Sequence, residues 1–293
     1  MEYLPTSLEF KLTEVSPHVV AANYKDCFGV NAAAIALKNF IVFIDTLYYP
    51  PQGLRFRKEV ESKYGMPVKY LFLTHYHGDH VFGMAPFKDT QVIGSKQLVQ
   101  SMRNRMREKW TKEAFEKWKE EEPELADVIA QIDVWLPNIG FNGNYVIEDE
   151  DLKVELYHSG GHTGCSSYAY FPAERVLITG DDLASFDWPY ISDSTGDPDK
   201  WISAFEKMMK MEIHAVVPGH GSIVGKEHLK EHLDYLRNLR EIVLEAIAHG
   251  IGPENIEVPE FYETAEDWQI PEALKHLHNF YSAKLKEKMG GAL

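Results

Sequence analysis

Short apolar runs, each bounded by turn residues, recur along the first third of the chain. They are HVVAA from His18, AAAIAL from Ala32, FIVFID from Phe40 to Asp45, and KYLFLT from Lys69 to Thr74. Runs of four to eight apolar residues with such boundaries are typical of buried β-strands. A helix is predicted between the last two runs, from Gly53 to Tyr64. Because strands and helices alternate, the pattern predicts an α/β layered fold.

The segment from Ser95 to Glu122 has a different character, since it is rich in Lys, Arg, Glu and Met and contains neither Pro nor Gly. This composition predicts one or two helices that end before Pro123 and a shorter helix from Glu124 to Gln131. We interpret residues 95–136 as a helical insertion between two strand-rich parts of the chain.

Strand patterns return after this insertion, in LKVELYH, SSYAYF and RVLITG between Leu152 and Gly180 and in HAVVP from His214. Asp197-Pro198 predicts the start of a helix, with Asp as the N-cap and Pro in the first turn.

The C-terminal part, about residues 226–293, is predicted to be helical. Its apolar stripe ends at Gly250, a plausible C-cap, and a last helix is predicted from about Pro271 to Met289. No repeat or Gly/Ser linker divides the sequence, so we interpret residues 1–293 as a single domain.

Charge and cysteine content exclude several classes of function. The chain has 30 Lys and Arg against 45 Asp and Glu, which gives a net charge of −15 and disfavours binding to nucleic acid or anionic lipid. Cys27 and Cys165 lie far apart and form no CxxC motif, so neither a disulfide scaffold nor a thiolate metal site is indicated.

The longest apolar stretch, 32–44, is too short for a membrane span, and Glu2 and Pro5 do not fit a signal peptide. We expect a cytoplasmic protein.

The densest chemical signal is THYHGDH, from Thr74 to His80, directly after a predicted strand. In extended backbone His75 and His77 project from the same face and can converge on one metal ion. Gly78 permits the sharp turn that directs Asp79 and His80 toward a neighbouring point. The motif therefore predicts a metal-binding loop.

Three more candidate ligands each follow a strand-like run of their own. His162 lies in GGHTGCS, Asp181 in VLITGDD and His220 in VVPGHG. With the first motif they supply five histidines and two aspartates. Imidazole and carboxylate are ligands of zinc, iron and manganese, and the absence of nearby thiolate argues against a structural Cys-rich zinc site.

These motifs, in this order, resemble the signature of the metallo-β-lactamase superfamily, HxHxDH followed by separated His, Asp and His. The match runs from about Val20 to Gly221. The resemblance implies a four-layer αββα sandwich with two divalent metal ions at one edge between the sheets. It further implies that the first metal is bound by His75, His77 and His162, the second by Asp79, His80 and His220, and that Asp181 bridges the two.

Two divalent ions about 3.5–4 Å apart can share a water and lower its pKa toward 7. The resulting hydroxide would attack an electrophilic centre, with Asp79 and Asp181 as the catalytic carboxylates. No GxSxG motif is present, so no serine nucleophile is indicated. The sequence thus predicts a binuclear metallohydrolase acting on a small-molecule ester, thioester, lactone or amide. Zinc is the expected metal, and iron or manganese are alternatives.

Asp181 guides the choice among branches of the superfamily. A bridging aspartate resembles the glyoxalase-type thioesterases, the lactonases and the phosphodiesterases, whereas the superfamily's β-lactamases generally lack it. A thioester or lactone substrate is therefore favoured over a phosphodiester or a β-lactam. A mononuclear iron persulfide dioxygenase remains the alternative from another class, and a binding protein without turnover is disfavoured because no ligand is missing.

Several further residues carry two interpretations each. Asp45 either supports the metal loop or ends a strand. Asp182 either competes with Asp181 as a ligand or is a supporting or solvated acid, and the latter is favoured because the family's aspartate directly follows the Gly. The aromatic loop 182–196, with Phe186, Trp188, Pro189 and Tyr190, either lines the substrate pocket or packs internally. The helical insertion forms either a lid or a homodimer face through Met102, Met106, Trp110 and Phe115. No motif partner is found for His158, His214, His228, His232 or His249.

Overall fold

The computed structural model describes residues 9–23, 29–262 and 268–290, so Cys27 lies outside the described residues. Its first sheet has seven strands that follow one another in both sequence and space. They are β1 Lys11–Ser16, β2 Val19–Asn23, β3 Ala32–Ala36, β4 Ile41–Ile44, β5 Val68–Phe72, β6 Gln91–Ser95 and β7 Ile139–Phe141. Strands β1 to β4 pair antiparallel and β4 to β7 pair parallel.

The second sheet has five strands in the spatial order β12-β11-β10-β9-β8. They are β8 Asn144–Asp149, β9 Leu152–His158, β10 Ser167–Phe171, β11 Val176–Ala184 and β12 Ala215–His220. The pairings are antiparallel except for β11 with β12, which run parallel.

Helices cover the outer faces of both sheets. They are α1 Pro50–Tyr64, α2 Gly78–Val81, α3 Lys96–Glu108, α4 Lys112–Glu121, α5 Ala126–Ile129, α6 Pro198–Met208, α7 Lys226–Ala248 and α8 Gln269–Gly290, with 3₁₀ turns at Phe82–Phe87, Pro123–Leu125 and Pro253–Asn255. Within the described ranges, no helix is both long enough and apolar enough to cross a membrane.

Three apolar layers hold the sheets and helices together. The central layer joins the facing sides of the two sheets, for example Ile35 and Phe72 against Leu156 and Phe171. A second layer packs the outer face of the first sheet against α1, the Phe82–Phe87 turn and α3. A third packs the second sheet against α6, α7 and α8. Because both of its faces are covered, β3 is buried at every position, as its continuous apolar sequence predicts.

The predicted α/β sandwich is confirmed, with two mixed sheets between layers of helices. The sequence pattern does not predict β1, β6, β7 or β8. Three of these, β1, β7 and β8, are edge strands with partly solvated residues. An edge strand of this kind lacks the continuous apolar run that identifies a buried strand.

Most predicted helices lie close to their expected bounds. Helix α1 begins at Pro50 rather than Gly53, since Pro is well accommodated in a first helical turn. Asp197 caps α6 as expected, with its side chain accepting from the backbone N–H groups of Asp199 and Lys200. The region interpreted as an insertion contains α3, α4 and α5, and it connects the parallel neighbours β6 and β7. The assignment of the chain to a single domain stays a prediction.

Asn31 joins the start of β3 to the end of β12 in the other sheet. Its side-chain amide donates to the carbonyl oxygens of Pro218, at 3.0 Å, and Gly221, at 2.8 Å, and its backbone N–H donates to Gly219 at 2.7 Å. The side chain is buried, so these carbonyl groups have little access to water. Asn31 therefore fixes the segment that carries His220.

Replacing Asn31 by alanine is expected to lower the free energy of unfolding by about 1–3 kcal/mol, because two buried carbonyl groups lose their donor. Asn39 is the matched control, since its side chain also donates twice, to Asp149 and Glu150, but at an exposed position. We expect Asn39→Ala to cost less than about 0.5 kcal/mol. Urea denaturation measures both, and equal losses would contradict this role of Asn31.

Candidate metal centre

The centre lies where the strands of the two sheets end. Asp45 directly follows β4, and Thr74 follows the neighbouring parallel strand β5, so the two residues meet. The Thr74 backbone N–H and hydroxyl both donate to the Asp45 carboxylate, at 2.8 and 2.7 Å. These two hydrogen bonds fix the first residues of the His75–His80 motif at the edge of the first sheet.

The first ligand group contains His75, His77, His162 and Asp181, whose donor atoms all lie within 4.8 Å of one another. Asp181 Oδ2 is 3.4 Å from Nε2 of His75, 3.6 Å from Nε2 of His162 and 4.0 Å from Nδ1 of His77. His162 Nε2 and His77 Nδ1 are 3.1 Å apart. Three imidazole nitrogens therefore converge beside one oxygen of a single carboxylate.

The second group contains Asp79, His80, Asp181 and His220, again with donor atoms within 4.8 Å of one another. Here the other oxygen of Asp181, Oδ1, faces Nε2 of His80 at 2.9 Å and Nε2 of His220 at 3.5 Å. Asp79 Oδ2 lies 3.1 Å from His220 Nε2. The structure thus brings together all seven candidate ligands, with Asp181 between the two groups.

Gly219 provides the space for Asp181 on the adjacent strand. A Cβ atom at position 219 would lie 2.0 Å from Asp181 Oδ1 and 2.7 Å from the Asp181 backbone nitrogen. Such distances are far inside van der Waals contact. The glycine between Pro218 and His220 is therefore required by the close approach of β11 and β12 at the carboxylate.

The donor atoms have the chemistry of a metal site. Nε2 of His75, Nε2 of His80 and Oδ1 of Asp181 are buried and make no well-aligned hydrogen bond among the described residues; they face only other ligand candidates, as in the 2.9 Å approach of His80 Nε2 to Asp181 Oδ1. Burial lowers the pKa of His75 well below its ordinary value and lowers the pKa of His162 to about 4. These two imidazoles are therefore neutral at pH 7 and can offer a lone pair. Buried donors of this kind fit a divalent cation.

Four of the histidines have a hydrogen-bond partner at the ring nitrogen that faces away from the centre. At the edge of the first sheet, Thr74 Oγ1 lies 3.0 Å from Nδ1 of His75, and Asp45 Oδ2 lies 2.9 Å from Nδ1 of His80. From the loop after β11, the Tyr190 carbonyl oxygen lies 3.0 Å from Nδ1 of His162, and Asp193 Oδ2 lies 3.3 Å from Nε2 of His77. An acceptor at one nitrogen places the proton there and leaves the other nitrogen for a metal. Asp45 thus contacts the centre, in agreement with the first of its two interpretations.

Asp193 is the supporting residue that the sequence analysis missed. Besides facing His77, its carboxylate accepts from the Tyr76 hydroxyl and from the backbone N–H and hydroxyl of Thr195, at 2.8 and 2.6 Å. Burial raises the pKa of Asp193, but these donors outweigh it and hold the pKa well below the usual range. Arg105 of α3 donates to the Tyr76 hydroxyl at 2.8 Å and so joins the helical segment to the centre.

No spacing rule identifies Asp193, because it lies far from the histidine motifs in sequence. The available signal is local: Asp-Ser-Thr at 193–195 is typical of a turn in which the Asp side chain accepts from the backbone two residues on. That signal predicts a turn and not a contact with His77.

The aromatic loop combines both of its interpretations. Trp188 is buried and donates to the Tyr235 hydroxyl at 2.9 Å, so it packs internally. Phe186 contacts His228 and Tyr262 away from the two groups. Tyr190 is the one of these three aromatics whose ring lies beside ligand candidates, with its centroid 5.7 Å from that of His162 and 6.1 Å from that of His77.

Asp182 and the remaining histidines lie outside both groups. Asp182 is buried, which raises its pKa to about 7, and its carboxylate faces the backbone N–H of His162 at 3.4 Å. It is thus a supporting acid and not a solvated one. Within the described ranges, neither ligand group includes His158, His214, His228, His232 or His249.

Comparison with known proteins identifies the family. The model of the metallo-β-lactamase superfamily matches residues 26–220, well over half of the chain and all seven candidate ligands. The chain therefore belongs to the metallo-β-lactamase superfamily, whose members are mostly hydrolytic metalloenzymes.

Individual relatives within this family are distant. A metallo-β-lactamase type 2 of Bacillus cereus is 25% identical over 213 residues, covering 71% of this chain and 73% of the relative. A hydroxyacylglutathione hydrolase of Pelagibacter ubique (strain HTCC1062) is 24% identical over 225 residues, covering 75% and 71%. The structure of a metallo-β-lactamase from Pontibacter korlensis superposes with a TM-score of 0.60 at 20% identity, covering 78% of this chain and 100% of that one. That likeness shows the metallo-β-lactamase fold.

Asp193→Ala is expected to weaken zinc binding by about 10–100-fold, because His77 loses the acceptor that fixes its tautomer and ring orientation. Competition with a chromophoric chelator measures the affinity. Asp133→Ala is the control, since Asp133 is an exposed aspartate that pairs with Lys88 at the surface. An unchanged affinity in Asp193→Ala, with the fold intact by circular dichroism, would show that Asp193 does not orient a ligand.

Proposed function

We propose that this protein is a binuclear metallohydrolase of small ester-like substrates, with zinc as the metal. His75, His77 and His162 would hold one ion, Asp79, His80 and His220 the other, and Asp181 both. The observation that carries this proposal is the carboxylate of Asp181, whose two oxygens face two separate groups of ligand atoms. When bound, two such ions would supply an acidified water as nucleophile and would polarise a substrate carbonyl oxygen.

Exposure of the ligands indicates from which side a substrate enters. His75, His80 and His162 are almost fully buried, whereas the side chains of His77 and Asp79 are 23% and 26% exposed and that of His220 is 22% exposed. Solvent thus reaches the centre past His77, Asp79 and His220. Asp79, at this open side, can accept a hydrogen bond from an attacking water and orient it toward the substrate carbon.

Several observations support a thioester or lactone as the substrate. Asp181 lies in both ligand groups, as expected for the bridging aspartate of the thioesterase and lactonase branches, and one relative of this chain is named hydroxyacylglutathione hydrolase. The net charge of −15 is unfavourable for a polyanionic nucleic acid, so a phosphodiesterase of that kind is a lesser alternative. A β-lactam is likewise the lesser alternative because the superfamily's β-lactamases generally lack this aspartate.

The iron persulfide dioxygenase is the alternative of a different class, and it needs only the first ligand group. The second group is complete in this chain, with Asp79, His80 and His220 in place around Asp181 Oδ1. A full second group favours two ions over one. The cytoplasmic location and a homodimer remain predictions from the sequence.

Protein purified without chelator or nickel affinity resin is expected to contain about two equivalents of zinc per chain, measured by elemental mass spectrometry. Asp181→Ala removes the carboxylate shared by both groups, so the metal content should fall to one equivalent or less. Thioester or lactone hydrolysis should fall more than about 100-fold. Asp151→Ala is the control, since this exposed aspartate faces Lys38 at the surface.

The same preparation separates the two reaction classes. Removal of the metal with a chelator should abolish hydrolysis, and zinc should restore it. About one equivalent of iron, together with oxygen consumption in the presence of glutathione persulfide, would contradict the hydrolase and support the dioxygenase. Full hydrolytic turnover by Asp181→Ala would contradict the bridging role assigned to Asp181.

A further inference from the structure

Five aromatic side chains surround a cavity of about 220 Å³ beside the candidate metal centre. We call it the aromatic cavity; its rings are those of Tyr48, Phe82, Trp110, Phe115 and Trp118. Tyr48 comes from the loop before α1 and Phe82 from the turn after the histidine motif, whereas the other three come from α4 and the residues before it. The segment interpreted as an insertion therefore forms one wall.

Phe82 is the central ring of the aromatic cavity and is 7% exposed. Its ring packs edge-on against Trp110 and Phe115, with centroid distances of 5.3 and 5.6 Å, and lies 6.0 Å from Trp118. Tyr48 faces Trp118 at 5.8 Å. Edge-to-face pairs at these distances are favourable, so the rings support one another around the open space.

Two contacts place this cavity directly beside the ligand loop. Phe82 lies against Gly78 of the histidine motif, since a Cβ atom at position 78 would be 2.5 Å from the Phe82 ring. The Thr46 hydroxyl, two residues before Tyr48, donates to the His80 carbonyl at 2.8 Å. The cavity is therefore fixed rigidly to the loop that carries Asp79 and His80.

Tyr48 and Phe82 place the cavity next to the segment that carries Asp79. The Tyr48 ring stacks on Phe82 with a centroid distance of 6.2 Å, and Phe82 contacts Gly78, the residue before Asp79. Asp79 is also one of the partly exposed ligand candidates. A substrate that enters past Asp79 could thus place its unreactive group in the aromatic cavity.

The volume limits the size of the occupant. An apolar cavity of about 150 Å³ is large enough to bind benzene, and sites for whole drug-sized ligands measure about 300–1,000 Å³. A cavity of about 220 Å³ lies between these values. It fits one aromatic ring or a short acyl chain and not a complete large ligand.

The charges around the cavity select an uncharged occupant over a cation. Aromatic cages bind quaternary ammonium groups when no other cation is near. The carboxylates of Asp79 and Glu122 lie near Tyr48 but outside the lining, whose one charged residue is Lys109. Lys109 forms no ion pair with any described residue. Its ammonium group would repel a bound cation, so the lining favours an apolar group.

We propose that the aromatic cavity is a specificity subsite, which binds an aryl ring or short apolar acyl group of the substrate hydrolysed at the metal centre. This inference rests on the proposed hydrolase function. It assigns Trp110 and Phe115 to substrate binding, whereas Met102, on the buried face of α3, packs in the core. The subsite would distinguish aryl substrates from methyl analogues through KM.

Toluene is the probe for the cavity itself, because it carries an aromatic ring and no group that ligates zinc. Ala114 lines the cavity from an exposed position on α4, so a larger side chain can fill the space without disturbing the core. Saturation-transfer NMR on the zinc-loaded protein should show toluene binding that weakens at least tenfold in Ala114→Leu. Ala114→Ser, which adds little volume, should stay within twofold of the original chain.

The second measurement compares aryl and methyl thioesters, with the ring on the acyl or the thiol side. Ala114→Leu should raise KM at least tenfold for an aryl thioester and leave KM for the methyl analogue within twofold. If toluene binds as expected but no thioester or lactone is hydrolysed, the hydrolase proposal fails while the apolar site stands.

Three results would overturn the subsite. The first is the absence of toluene binding in the original chain, and the second is an equal KM change for aryl and methyl substrates in Ala114→Leu. The third is tighter binding of benzyltrimethylammonium than of toluene, which would identify a cation site. A dimer that dissociates in Ala114→Glu, with no toluene bound, would also overturn it and assign this surface to a homodimer.

Discussion

The carboxylate of Asp181 lies between two groups of candidate metal ligands, and much of the surrounding structure serves to keep it there. It sits in β11 of the second sheet, whereas His75, His77 and His80 come from the loop after β5 of the first sheet. The two sheets must therefore be held at one fixed separation. The apolar layer between the sheets holds them at this separation. Gly219 has no side chain, so the space beside it is free for the Asp181 carboxylate.

A second set of groups surrounds the ligands and sets their chemistry. Asp45, the Tyr190 carbonyl and Asp193 each face the outer nitrogen of a different histidine. Asp45 follows β4, whereas Tyr190 and Asp193 both lie in the loop between β11 and α6. This arrangement matters because a neutral imidazole can bind metal through either nitrogen, and the hydrogen-bonded nitrogen is excluded. Placement of the proton thus depends on contacts between elements and not on the histidine motif alone.

The helices between β6 and β7 connect to the centre in two separate ways. Arg105 of α3 reaches Asp193 and His77 through the Tyr76 hydroxyl, which ties the segment to the first ligand group. Trp110, Phe115 and Trp118 meet Phe82 and Tyr48 and line the aromatic cavity, which is open to solvent. The same segment thus supports a ligand and shapes the space that we assign to the substrate.

The sequence by itself determined the candidate ligands and the α/β layers. Four ligands form one motif at short, fixed spacing, the other three each follow a strand-like run, and the inner strands are continuous apolar runs. All seven candidates meet in the structure, and the predicted sandwich is confirmed. Only the tertiary structure decided which edge strands form, that Asp193 faces His77, and that five aromatics line one cavity. Each of these depends on residues far apart in sequence, whose contacts are set by the packing of the sheets and helices, and no local pattern encodes such a distance.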